Sequence, residues 1–506
     1  MTHATMSPVL RWSLLLVAAY LVPGSTADAA PLRAGAAARD IADVNTRPVN
    51  NSPQVKALVI TDGVTTAAII TVDAVAIAEI GSIRNEYLAN VREQLFNDAI
   101  VRPEHVLINA SHCHAQVCAD IEQRTVEVVK TAWKRLQPVT VGVGRGREDR
   151  VSENRRLKLK SGREADVRHA YSLPPDDEVV GAGPIDPDIG ILRLDRMDGK
   201  TLAVVYNFAC HPIQGVPNGG NTADMTGFAS TVLETGFGDG AIALFLQGCG
   251  GDINPLLYKD IDHPRNAEPL GNQLGLSTLK AARSIECRDN APLRVIRESM
   301  ELPRCDNAER IVALETEQAR LLKSLQGTSL NLKTFLALTM KHGVSDAFPS
   351  YYSHRYLHDR ALGRNDLDRM DADHRRNIEQ YVRNIYAMEE LTRLQTNLDL
   401  LKKHQARNVA AGKRTIDVEV AGLRLGDFVL VTFPGELTVQ IGLNIKQASP
   451  HPFTFVAGYT NGYIYYSPTA EQLRNVGGAQ EDSDCLLAPE WQALFEARIA
   501  EMLKKL

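Results

Sequence analysis

Cysteine is scarce in this chain. Seven occur among 506 residues, at positions 113, 118, 210, 249, 287, 305 and 485, and the number is odd. That excludes a disulfide-stapled scaffold and leaves at least one thiol without a partner in the chain. An excess of charge of either sign is also missing. Against 61 Asp plus Glu stand 56 Lys plus Arg, with no basic stripe of the kind that neutralises a phosphate backbone, so no nucleic-acid partner is expected. Beyond the N-terminus no apolar run is long enough to span a bilayer, so the mature chain is expected to be soluble or in peripheral membrane contact. Internal repeats and low-complexity linkers are absent as well. What remains, 44% hydrophobic and 23% charged residues, is the makeup of an ordinary globular protein with a large core.

The first 29 residues carry an address. Arg11 precedes the mostly apolar run Trp12 to Val22, followed by "PGS" and the small-residue site Ala27-Asp28-Ala29. The run falls short of the ~20 residues that cross a bilayer. A secretory signal over 1–29, cut after about Ala29, is therefore expected, and with it a secreted or periplasmic protein.

From Leu32 to about Met300 short apolar runs alternate with amphipathic segments, as in "KALVITDG", "AAIITVDAVAI", "LAVVYNFACHP" and "AIALFLQGCGG". Runs of β-branched and aliphatic residues bounded by Gly, Asp and Pro read as buried strands. Over 303–408 the texture changes, with "AERIVALETEQARLLKSL" and "RRNIEQYVRNIYAMEELTRLQTNLDLLKKH" placing apolar residues three or four apart. Strand texture returns after Gly412, and a helix "PEWQALFEARIAEMLKKL" closes the chain. The expected fold is α/β in the mixed α+β sense, with layered mixed β-sheets flanked by helices. One domain would comprise 30–302 and 409–506, and 303–408 would form a helical insertion or cap.

"NASHCHAQVC", residues 109 to 118, concentrates two histidines and two cysteines at a strand end. Nothing downstream supplies the second half of a structural zinc knuckle. Cys113 and Cys118 could bond each other or Cys210, or simply pack. Other strand-end loops carry donors too: His211 in "NFACHP", Glu436 in "FPGEL" and the tyrosines of "NGYIYYSP". Two imidazoles and a carboxylate from separate loops are a usual set for catalytic zinc, which keeps one position open. Any one of them alone is more simply read as a core or turn residue.

In this order, the loops resemble the N-terminal catalytic domain of the neutral ceramidases, zinc-dependent amidases that cleave N-acyl-sphingosine, and still more their shorter bacterial relatives. There a Thr-His-Thr-His loop, an Asn-Phe/Trp-x-x-His-Pro-like loop, a Pro-Gly-Glu loop and an Asn-x-Tyr-x-x-Tyr loop meet at one zinc. Their counterparts here are "SHCH", "NFACHP", "PGE" and "NGYIYY", with "NRR" at Asn154 to Arg156 and "QGCGGDINP" as further echoes. The resemblance runs from about Leu32 to Gly478. It implies zinc held by His112, His211, Glu436 and Tyr466. His114 would move a proton, Arg155 would orient the substrate's polar head, and Tyr463 would steady the oxyanion. Zinc would activate water and polarise the amide carbonyl.

The chain departs from that pattern at three places. Asn254 stands where the family has a serine, which excludes a serine nucleophile there and leaves Asp252 as a loop-shaping carboxylate. "SHCHAQVC" lacks the Ser-Gly-Pro that follows the second histidine, and Gly477-Gly478 replace a tyrosine. The expected substrate is ceramide or a similar N-acyl lipid. Rival readings are a hydrolase of another small N-acyl amide or ester, a metal-containing binding protein without turnover, and a structural role for the histidines.

Overall fold

The computed structural model describes Met1 and residues 31–506, apart from 44, 47–48, 168–172, 216–219, 257, 259, 261, 264, 290 and 476–478. The expected leader and the Gly477-Gly478 position lie outside the described residues.

Two sheets stack face to face. The larger has eight strands in the order Ile242–Gln247, Thr201–Phe208, Asp188–Arg196, Gln137–Arg147, Arg33–Asp40, Gln54–Thr61, Thr66–Val72 and Val106–Ala110. The smaller has four: Leu293–Pro303, Thr415–Leu425, Phe428–Thr432 and Phe453–Ala457. Leu192, Leu194, Val205 and Leu244 of the first pack with Leu423, Phe428, Leu430 and Phe455 of the second, which is why these strands read as apolar runs without alternation. Gly190 lets the sheets approach, since a Cβ there would meet the Phe455 ring at 2.3 Å.

Helices cover the outer faces. Tyr87–Asn97 and Ile121–Lys134 lay Val91, Leu95, Val126 and Val129 against one half of the large sheet. Asp224–Phe237 and Glu268–Arg283 cover the other half. Val439–Ala448 and Trp491–Lys505 bury Ile441, Trp491 and Phe495 against the small sheet. The result is the mixed α+β layering expected from the sequence.

Between two paired strands of the small sheet, Leu293–Pro303 and Thr415–Leu425, the chain leaves the layers. It forms the helices Ala308–Ser324, Leu332–Val344, Ser353–Ala361 and the 45-residue Asp366–Ala410. At 1.5 Å per residue the last is ~67 Å long. Leu314 and Leu321 pack on Leu394, Leu398 and Leu401, which ties the first helix to the C-terminal half of the long one. Among the described residues no helix is long and apolar enough to cross a membrane.

Candidate metal centre

The parallel strand pairs decide where the donors lie. Val106–Ala110 runs parallel to Thr66–Val72, Thr201–Phe208 to Ile242–Gln247, and Phe428–Thr432 to Phe453–Ala457. The loops leaving their C-terminal ends carry His112, His211, Glu436 and the tyrosines, the usual place for ligand groups in such sheets.

Each imidazole is oriented by a carbonyl. His112, at φ 69°, has its backbone N–H on Ala74 and its Nδ1 2.6 Å from the Val75 carbonyl. His211 Nδ1 lies 3.0 Å from the Ile253 carbonyl. A carbonyl only accepts, so both Nδ1 atoms carry the proton and both Nε2 atoms present lone pairs. Those lone pairs meet the buried Glu436 carboxylate, whose Oε2 is 3.5 Å from His112 and 3.2 Å from His211. The three ligand atoms lie within 4.8 Å of one another. Burial, opposed by the Glu436 charge, pushes His112 down to about 4, so its ring is neutral at neutral pH. Three acceptors facing each other repel unless a cation sits among them. The donor set therefore fits a divalent metal such as zinc.

Tyrosines fix the carboxylate. The Tyr459 hydroxyl donates to Glu436 Oε2 at 3.1 Å, and the Tyr463 hydroxyl donates to Oε1. Burial beside that charge raises both phenols well above their ordinary range, so they remain donors. Tyr466 is placed by a two-residue parallel ladder, Glu436 opposite Tyr466 and Leu437 opposite Ser467. Its hydroxyl lies 3.4 Å from His211 Nε2. Gly251 makes room for this ladder, because a Cβ there would fall 2.7 Å from the Glu436 carbonyl oxygen.

Arg155 is fully buried behind the tyrosine. It donates to Glu481 at 2.7 Å, to Asn254 Oδ1 at 3.1 Å, to the Gly251 carbonyl and to the Tyr466 hydroxyl at 3.2 Å. Arg156 beside it pairs with Asp482 at 3.0 Å and with Glu164 at 2.7 Å. Asp252 takes the Val439 N–H at 2.7 Å and the Asn154 amide at 3.1 Å, so it shapes the loop and the start of a helix.

A cavity of about 350 Å³ opens over the cluster. His112, His211, Glu436, Tyr463, Tyr466 and Arg155 reach it from below, exposed His114 borders it 5.6 Å ring-to-ring from His112, and Leu400 and Lys403 border it from the long helix. The structure thus brings all seven sequence-derived candidates to one cavity. Three further residues of the site had no role assigned from the sequence. Tyr459 follows a strand end as the others do and could have been found by that criterion. Tyr465, whose buried hydroxyl has no partner, shares its motif with Tyr466. Glu481 had no local signal.

All seven cysteines are free thiols, and Cys113 and Cys118 pack in the interior without bonding each other or Cys210. Burial holds the Cys113 thiol protonated, which makes it a poor ligand.

No family model and no curated protein matches the chain. Among solved structures it is similar to a neutral ceramidase from Pseudomonas aeruginosa, with a TM-score of 0.58 at 15% identity, covering 94% of this chain and 74% of that one. It is similar also to a ceramidase complexed with C2, with a TM-score of 0.57 at 16% identity, covering 94% of this chain and 75% of that one. The fold is therefore neutral-ceramidase-like.

Proposed function

We propose that this protein is an exported zinc-dependent amidohydrolase that cleaves the N-acyl bond of ceramide or a similar N-acyl lipid. One observation carries the reading. In a ceramidase-like fold, two tautomer-fixed imidazoles and a carboxylate turn three lone pairs toward one point at the floor of a cavity. His112, His211 and Glu436 would hold the metal, with Tyr466 beside them. Zinc in such a set supplies a Lewis acid for the amide carbonyl and lowers the pKa of water.

The chain's own residues do the rest. Tyr459 and Tyr463 keep the Glu436 carboxylate in one orientation by donating to its two oxygens. Arg155 acts through Tyr466, donating to its hydroxyl while Glu481 anchors the guanidinium, which holds the phenol oxygen beside His211 at the cavity, where it would meet the substrate carbonyl. His114 stands at the cavity rim, where it can give a proton to the leaving amine. Asn254 is engaged with Arg155, and no serine nucleophile is required. Residues 303–408 act as a cap through Leu400 and Lys403, and the leader over 1–29 directs export with cleavage near Ala29.

The cavity's 350 Å³ also suits a smaller N-acyl amide, since it admits the polar head of a lipid and leaves two long tails outside. The test is hydrolysis of a fluorogenic ceramide and of a water-soluble N-acyl amide, each with and without chelator. Chelator-sensitive release from the ceramide supports the proposal. Release from the small amide alone favours the second reading, and zinc bound without release from either sinks both. N-terminal sequencing of the exported protein checks the leader, which an intact Met1 on a cytosolic product would rule out.

A further inference from the structure

A second group of metal-type donors lies far from the cavity, at the outer end of the helical segment. Asp371 and His374 stand three residues apart on the long helix Asp366–Ala410, and so share a face. His342 meets them from the helix Leu332–Val344. One ligand atom from each lies within 4.8 Å of the others. The His342 and His374 rings are perpendicular, with centroids 5.8 Å apart.

The surroundings of this trio are those of a ligand set rather than of a polar core. Both ring nitrogens of His342 and Nδ1 of His374 are shut off from solvent and have no hydrogen-bond partner. Leaving buried polar atoms without a partner is costly unless something binds them. Asp371 is 3% exposed, and its carboxylate is fixed by the Tyr356 hydroxyl and by Ser350 Oγ at 2.5 Å. Hydroxyl donors to a carboxylate in this way hold a ligand in place. The Arg375 guanidinium is taken by Asp346 at 2.9 Å.

The outer helices on this side of the trio bury little else. Leu332–Val344 has no buried residue, and Ser353–Ala361 has only Tyr356. Helices this short are marginal without a packed face. The aromatic contacts Phe335–Tyr381, 4.5 Å between centroids, and Phe348–Tyr356, 5.2 Å, are thin support for two helices.

We infer that His342, Asp371 and His374 form a structural site for a divalent transition metal of the zinc class, which fastens the outer helices to the long one. Two imidazoles and one carboxylate suit zinc, with water completing the coordination. From His374 to Lys403, at the cavity, the helix runs roughly 40 Å, so this ion takes no part in chemistry there. The inference is independent of the reading of the cavity.

The test separates the two sites. Full-length chain carrying His112→Ala and His211→Ala is stripped with chelator and titrated with zinc alone. It should bind one equivalent, and adding His342→Gln or Asp371→Asn should weaken that binding more than ~10-fold, with helicity by circular dichroism retained in the presence of the other helices. Zinc should also slow proteolysis between 326 and 384 in the parent and not in the His342→Gln chain. If the doubly substituted protein does not fold, the parent is titrated instead, and His342→Gln should lower its zinc stoichiometry by one equivalent, whatever the cavity binds. No binding at micromolar zinc in a folded double variant, or a stoichiometry and affinity untouched by both tip substitutions, overturns the inference.

Discussion

Glu436 and Tyr466 stand opposite each other in one ladder but differ in what they contribute. The carboxylate is the charged member of the donor set, and without it two neutral imidazoles and a phenol remain to hold a dication. Glu436→Gln should therefore lower zinc affinity by more than ~10-fold and abolish hydrolysis, measured by titration and by turnover at saturating metal. Tyr466→Phe should keep zinc and lose kcat by on the order of 10²-fold, since on the proposed reading it removes one fixed contact to the reacting carbonyl. A Tyr466→Phe protein at full rate would contradict the site as described. Cys113 and Cys118 are packing residues with free, protonated thiols, so replacing both by alanine should leave zinc stoichiometry at the cavity unchanged. The histidines, the glutamate, Tyr463 and Tyr466 were legible in the sequence because each follows the end of an apolar strand, at a break in the aliphatic run. Glu481 was not legible, because its role depends on two buried arginines more than 300 residues away that need partners. Its only outward sign, the acidic stretch "QEDSD", reads like any solvated loop.

At the level of elements, strands buried on both faces announced themselves as unbroken aliphatic runs, and helical periodicity over 303–408 corresponds to helices from Ala308 to Ala410. The stacking of two sheets was not legible, since an apolar run does not say which face meets a sheet and which a helix. The buried loop Gln480–Asp482 illustrates what such stacking brings together. There Asp166 accepts the Gln480 N–H, and burial, together with the neighbouring Glu481 charge, raises its carboxyl to about 7. The folded state thus holds a proton that the unfolded chain releases near pH 4. Between about pH 4 and 7 the native protein binds more protons than the unfolded one, so this group's contribution to stability is present at the acid end and lost as pH rises through 7. Urea midpoints at pH 5 and pH 7.5 should accordingly differ less in Asp166→Asn than in the parent. Leu398 is fully buried where the first and last helices of the segment cross, and Leu398→Ala should cost about 2–5 kcal/mol by denaturation.

Over the whole molecule, the layered body and the outer helices are unequal in what they bury. Gln326 and Asn384 bridge the base of the outer portion through paired backbone-to-amide bonds of 3.2 and 2.7 Å. Replacing 327–383 by a short Gly-Ser linker should leave the thermal midpoint of the body and the turnover of a water-soluble amide close to those of the parent. The body itself rests on contacts between distant parts of the chain, and the ladder that sets Glu436 beside Tyr466 is its clearest case. During synthesis His112 and His211 leave the ribosome hundreds of residues ahead of Glu436, and the tyrosines that steady the carboxylate come later still. An ion that arrives early finds two loose imidazoles and nothing to retain it. On the proposed reading, capture at the cavity must wait until the last fifth of the chain has docked, so metal uptake there would mark the completion of folding of the layered body and not help to begin it.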